Sequence, residues 1–301
     1  MMFEPVIPSL DCAGRRLLLD RPRVMAILNV TPDSFSDGGA HAGVDAAVAH
    51  GLRLAEEGAD ILDIGGESTR PGAPPVALDE ELARTIPVIE ALATRVAIPI
   101  SIDTSKPDVM RAAVAAGAGL INDVRALTTA GALDAAAELA VPVVLMHMQG
   151  EPGSMQISPH YDDVVSEVRS FLAQRMFACE MAGIDRRRIL VDPGFGFGKT
   201  LDHNLALLAQ LRRLTELGVP VLAGLSRKRS IGELTGRERA DQRQAGSLAA
   251  ALIAVQNGAA VVRVHDVAAT VDALRVWSAV TALAQPRSEP KSTGPRWPDE
   301  D

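Results

Sequence analysis

The feature that most constrains this chain is a repeated alternation. Eight short apolar runs, at 24–30, 61–64, 98–102, 120–122, 143–146, 189–191, 221–223 and 261–264, are separated by longer stretches of helical periodicity. The helical stretches are 44–57, 79–95, 107–116, 132–139, 161–182, 201–217 and 239–256, with a last one at 268–283. Each run is apolar on both sides of the two-residue alternation, as strands buried on both faces require. The junctions repeat as well. Gly58-Ala59, Gly117-Ala118 and Gly258-Ala259 each precede a run, and glycine there can close a helix in the left-handed conformation. Three other runs are entered through Pro99, Pro142 and Pro220, none of which can continue a helix. Eight evenly paced units predict an α/β fold, a single-domain (β/α)8 TIM barrel. A doubly wound open sheet is the alternative, and the even pacing disfavours it.

The flanks differ. Residues 1–20, with Gly14 at a turn between two short apolar runs, read as a hairpin closing the barrel bottom, and 21–285 as the barrel itself. The stretch 286–301 has four prolines, several charges and no apolar periodicity, so it reads as a flexible tail. No signal-like start and no apolar run of about 18 residues is present, so a cytoplasmic protein with no membrane span is expected. Cys12 and Cys179 read as reduced thiols. A net charge of −8 and only nine aromatic residues argue against nucleic acid, which calls for a basic footprint or a stacking surface.

In such barrels chemistry sits at the C-terminal ends of the strands. Every run here ends in polar residues. They are Asn29; Asp63; Asp103; Asn122 with Asp123; His147; Asp192; Ser226-Arg227-Lys228; and Arg263 with His265-Asp266. Long polar loops follow the first two runs. Asp103, Asn122 and Asp192 are acceptors suited to the amidine-like edge of a 2-amino-4-oxo heterocycle. Arg70, Lys228, Arg263 and His265 form a cationic group suited to a diphosphate. Asn29 is a neutral oxygen ligand, suitable for Mg2+ held mainly by substrate phosphates.

Other patterns fail. Gly194-Phe195-Gly196-Phe197-Gly198-Lys199-Thr200 ends like a P-loop, but that motif's first glycine falls on Pro193. It also misses the dinucleotide pattern, because Lys199 stands where the third glycine belongs. The six histidines have no zincin spacing, and Asp33 and Asp37 lie outside an EF-hand frame. Ser226 has no sequence-local acid–base companion. His147, between Met146 and Met148, reads as pocket wall rather than metal ligand.

From about 21 to 284 the chain resembles the dihydropteroate synthases of folate biosynthesis. The resemblance rests on Ile27-Leu28-Asn29-Val30-Thr31-Pro32-Asp33-Ser34-Phe35-Ser36-Asp37-Gly38-Gly39 and Asp63-Ile64-Gly65-Gly66-Glu67-Ser68-Thr69-Arg70-Pro71-Gly72. Shorter matches are Ile102-Asp103-Thr104, Asn122-Asp123-Val124, the run from Asp192 to Lys199, Ser226-Arg227-Lys228 and Arg263-Val264-His265-Asp266. The resemblance implies condensation of (7,8-dihydropterin-6-yl)methyl diphosphate with 4-aminobenzoate to 7,8-dihydropteroate and pyrophosphate, with Mg2+. It implies that Asp103, Asn122, Asp192 and Lys228 bind the pterin between Met146 and Phe197. Thr69, Arg263 and His265 would hold the diphosphate, and Asn29 the Mg2+. Phe35, Arg70, Pro71 and Ser226 would form the 4-aminobenzoate pocket, the target of sulfonamides. It further implies a homodimer built on the C-terminal helices, where Val271, Leu274, Trp277 and Val280 make an apolar stripe that could equally pack on the barrel. Two rivals are a pterin-binding methyltransferase with a corrinoid partner and a silent pterin-binding paralogue. The first has no use for the diphosphate cations; the second should have lost Asn29, Arg70 or Lys228, and all three are present.

Overall fold

The computed structural model describes residues 8–31, 39–68, 72–151, 153 and 155–284. The chain opens with an antiparallel hairpin, β1 (Ser9–Cys12) and β2 (Arg15–Leu18). Then come β3 (Arg23–Asn29), α1 (Gly39–Glu56), β4 (Ile61–Gly65), α2 (Leu78–Ala93), β5 (Ile100–Asp103), α3 (Pro107–Ala115), β6 (Leu120–Asp123) and α4 (Ala132–Leu139). They are followed by β7 (Val143–Met146), α5 (Val164–Met181), β8 (Ile189–Asp192), α6 (Leu201–Ala209), α7 (Arg212–Thr215), β9 (Val221–Ala223), α8 (Arg229–Thr235), α9 (Gln244–Gln256), β10 (Ala259–Val264) and α10 (Val267–Ala284). Strands β3 to β10 pair in parallel in chain order, and β10 closes on β3. The fold is the predicted (β/α)8 barrel preceded by a hairpin.

Alternation along the strands separates two cores. Ala26, Leu62, Ile64, Ile102, Ile121 and Val143 point outward into the layer shared with the helices. Met25, Ile61, Leu120, Val144, Leu190, Leu222 and Val261 fill the barrel interior, where they pack against Leu10, Cys12 and Leu17 of the hairpin. The hairpin therefore covers the N-terminal mouth. It sits so close to β6 that a Cβ on Gly119 would lie 2.3 Å from the Cys12 carbonyl oxygen, which glycine alone permits. Because strand side chains alternate with period two, the interior residue two places after each apolar plug is the one at the far mouth. Asp63 follows Ile61, Asn122 follows Leu120, Asp192 follows Leu190 and Arg263 follows Val261.

Three helices depart from expectation. The stretch 161–182 starts as α-helix only at Val164, because Asp163 is its N-cap and accepts from the N–H groups of Val165 and Ser166. Tyr161 instead folds inward and donates its hydroxyl to the Gly198 carbonyl at 2.8 Å. The stretch 201–217 breaks at Gln210 into α6 and α7, while Leu207, Leu211 and Leu214 all stay buried. The long helix expected at 239–256 begins at Gln244, and α8 lies upstream of it, where Gly232 and Gly236 obscure helical periodicity. Of the stripe on α10, Leu274 is buried and Val271 and Trp277 pack against the core. Val280 is exposed instead, with Val276 and Leu283. Among the described residues no helix is long and apolar enough to cross a membrane. The stretch 286–301 lies outside the described residues.

Candidate active site

The C-terminal mouth gathers side chains from most of the eight strands. Arg263 on β10 is the hub. Its Nε donates to Asp63 Oδ2 at 2.5 Å, and an Nη donates to Asp103 Oδ2 at 2.7 Å. Asn122 Nδ2 donates to the same Asp63 oxygen at 3.0 Å. Register puts Asn29, Gly65, Asp103 and Asn122 in one row across β3 to β6. A Cβ on Gly65 would be 3.8 Å from both Asn29 Oδ1 and Asp103 Oδ2, so these two oxygens flank a gap that a larger residue would fill. On the other side, Asp192 Oδ1 accepts from Gly194 N–H at 2.7 Å, and Lys228 Nζ stands 4.0 Å from the centre of the Phe197 ring. Met146 and Phe197 share a small apolar cluster with Val124 and Met155, which makes them neighbouring walls.

Burial dominates the electrostatics. It pushes the Asp103 carboxyl well up, with Arg263 opposing and the charges of Asp63, Asp123 and Glu81 adding to the rise. Burial likewise raises Asp192 to about 6, against the Gly194 hydrogen bond and the attraction of Lys228 and Lys199. It lowers Lys228 to about 8, helped by Arg263. Buried acids beside half-buried cations form an alternating set of acceptors and donors, such as a flat polar heterocycle needs.

The acids expected at the pterin and the cations expected at the diphosphate are joined here in one network. Arg263, expected on the diphosphate, uses two of its nitrogens on Asp63 and Asp103, because barrel closure sets β10 beside β3 and its guanidinium reaches across the mouth. His265, counted among the cations, is neutral: burial and then the charges of Arg263 and Arg227 lower it to about 3. Ser226, without a companion nearby in sequence, meets His265 in space, its Oγ 3.0 Å from His265 Nδ1 and accepting from His265 N–H at 3.1 Å. The intervening Arg227 has φ +58 and is held by Asp266, Ser247 Oγ and Arg243, so Ser226 and Lys228 emerge from a braced turn. His147 is not a wall of the mouth. It turns behind the glycine-rich loop, edge-on to Phe171 at 4.9 Å and with Nδ1 3.0 Å from Lys199 Nζ.

Asp63 was legible only as a strand end, and its pairing with both Arg263 and Asn122 makes it part of the site. Asp123, next to Asn122, faces the other way and caps the loop through Ser105 and the N–H groups of Arg125 and Leu127. Lys106 pairs with Glu67 and with the buried Glu81 at the root of the second loop. Thr69, Arg70 and Pro71, and Phe35 on the first loop, lie outside the described residues.

The profile of pterin binding enzymes matches residues 25–265. The dihydropteroate synthase of Escherichia coli K12 is 53% identical over 277 residues, covering 92% of this chain and 98% of that protein. The chain belongs to the dihydropteroate synthase family. Within it, the Xanthomonas albilineans enzyme solved with 4-aminobenzoic acid superposes with a TM-score of 0.88 at 71% identity, covering 92% of this chain and 99% of the other. The structure of dihydropteroate synthase from the same organism in complex with 7,8-dihydropteroate gives 0.85 at 69% identity, covering 91% and 99%. As a dihydropteroate synthase family member, the chain keeps an Asp, Asn or Arg on the interior face at the mouth end of β3, β4, β5, β6, β8 and β10.

Proposed function

We propose that the protein condenses (7,8-dihydropterin-6-yl)methyl diphosphate with 4-aminobenzoate, giving 7,8-dihydropteroate and pyrophosphate in folate biosynthesis. The observation that carries this reading is the set of buried Asp103, Asn122 and Asp192 with half-buried Arg263 and Lys228 at one barrel mouth. Acceptors on strand ends suit the amino and ring N–H groups of a pterin, and Phe197 and Met146 supply flat apolar contact.

The chemistry follows from the charges. The C–O bond to the diphosphate breaks, and positive charge develops on the pterin methylene. In their ionised forms Asp103 and Asp192, buried at the mouth, stabilise that charge more than they could in water. The amine of 4-aminobenzoate then forms the C–N bond and releases a proton. An aromatic amine is unprotonated near neutral pH, so no strong base is required. The Ser226–His265 pair serves instead as a neutral polar seat for the carboxylate of 4-aminobenzoate, and Lys228, with the guanidinium nitrogen of Arg263 that Asp63 and Asp103 leave over, supplies positive charge for the leaving diphosphate. Phe35, Thr69, Arg70 and Pro71 are assigned to the 4-aminobenzoate and diphosphate sides on the family pattern.

Mg2+ fits in one way. Among the described residues no group of three His, Cys, Asp or Glu forms a metal site, whereas Asn29 offers one oxygen beside Asp103. That donor set suits an ion held mainly by diphosphate oxygens. Such an ion would neutralise charge on the leaving group. The exposed Val276, Val280 and Leu283 on α10 support a homodimer formed on that face. Two buried, unbridged cysteines suit a cytoplasmic setting.

The test is pyrophosphate release by the purified protein with both substrates. Release that depends on 4-aminobenzoate and yields 7,8-dihydropteroate is expected. Release indifferent to 4-aminobenzoate would overturn the assignment.

A further inference from the structure

The reaction leaves one buried amino group without a role. Lys199 is 3% exposed, and its Nζ lies 2.9 Å from the Gly194 carbonyl, 2.9 Å from the Phe197 carbonyl, 3.3 Å from the His147 carbonyl and 3.0 Å from His147 Nδ1. A buried amine is costly unless its hydrogens find acceptors, and here each has one. The sequence Gly194 to Lys199 looks like a phosphate-binding loop, but its geometry is inverted. In a phosphate loop the backbone N–H groups converge on an external anion; here backbone carbonyls converge on a lysine supplied by the loop itself.

The consequences reach the pterin side of the mouth. Gly194 is gripped at both ends, its carbonyl by Lys199 and its N–H by Asp192 Oδ1. Phe197 is held by its carbonyl while its ring lies beneath Lys228. His147 closes the loop onto β8, its N–H donating to the Asp192 carbonyl at 3.0 Å. The loop also packs closely on the segment after β7, where a Cβ on Gly194 would stand 1.9 Å from the His147 carbonyl oxygen.

We propose that Lys199 is a positioning residue, the internal donor around which the glycine-rich loop folds, and that it thereby sets Asp192 and Phe197 for the pterin. The inference rests on the pterin reading above. The low accessibility of Lys199 agrees with it, and so does a neutral His147, lowered to about 3 by burial and then by the Lys199 charge, since a neutral ring can offer Nδ1 as an acceptor.

The experiment uses Lys199→Met in the full-length protein, which keeps length and removes the donors. Affinity for the pterin diphosphate should fall about 10- to 100-fold, while KM for 4-aminobenzoate at saturating pterin diphosphate stays within about twofold. General loosening would weaken both. In an Asp192→Asn background Lys199→Met should cost clearly less than it does in the wild type, because the part of its effect that passes through Asp192 is already lost while the part through Phe197 remains. Unchanged pterin affinity in a folded Lys199→Met protein, or full additivity with Asp192→Asn, would overturn the proposal. Should Lys199→Met fail to fold, the wild-type protein decides the matter through 15N spectra of His147. An Nε2–H tautomer with unprotonated Nδ1 is expected, and an Nδ1–H tautomer would sink the idea. If Asp192→Asn alone leaves pterin affinity unchanged, the pterin reading falls and this inference with it. A failure of Lys199→Met alone leaves that reading standing.

Discussion

Asp192→Asn should make the empty protein more stable and a poorer binder. Asp192 is 6% exposed and its carboxyl is raised from 3.8 to about 6, chiefly by burial. A carboxyl with a folded-state pKa above its unfolded value gives stability that is complete below the unfolded pKa and lost as pH rises through the folded one. At pH 7.5 the ionised side chain therefore costs the fold about 3 kcal/mol relative to a neutral one, with the attraction of Lys228, Lys199 and Arg263 already included. Asparagine keeps an oxygen for the Gly194 N–H and carries no charge. For a chain of this size the change corresponds to a rise in Tm of about 5 °C. Binding moves the other way. The pterin loses a charge-assisted contact of about 1.5–3 kcal/mol, or about 10- to 150-fold in Kd. The assay is scanning calorimetry of apo wild type and variant at pH 7.5 and pH 4.5, with titration calorimetry of the pterin diphosphate. The stability gain should shrink at pH 4.5, where wild-type Asp192 is protonated in the fold. A variant less stable than wild type at pH 7.5, or a gain that does not change with pH, would refute the argument.

Three further outcomes are expected. Gly194→Ala should abolish pterin binding while leaving the barrel folded, because the added Cβ would lie 1.9 Å from the His147 carbonyl oxygen and must displace the loop; pterin affinity near wild type would contradict the packing. Calorimetry should find no 4-aminobenzoate binding to the apo protein and clear binding once pyrophosphate and Mg2+ are present, and sulfonamides, which share its ring and aniline nitrogen, should be relieved by 4-aminobenzoate and not by the pterin diphosphate.

Much of the architecture was legible because a strand has a side-chain period of two and both faces of a barrel strand are buried. A polar residue closing an apolar run, such as Asp103, Asn122 or Asp192, has only the mouth of the barrel in which to be solvated or paired. Helix limits were less legible. Tyr161 fits a helical apolar pattern and yet bonds Gly198, and α8 was hidden by its glycines.

What the sequence by itself determined was therefore the (β/α)8 order, the mouth that carries the polar residues, and the family. Tertiary structure alone decided which groups meet. Arg263 finds Asp63 across 200 residues and Asp103 across 160, Lys199 finds His147 across 52, and Ser226 finds His265 across 39. These pairings depend on closure of β10 onto β3 and on the stagger of neighbouring strands, which bring together side chains that no local pattern relates. The same closure takes them largely out of water, and burial is what lowers His265 and raises Asp192 from their ordinary values.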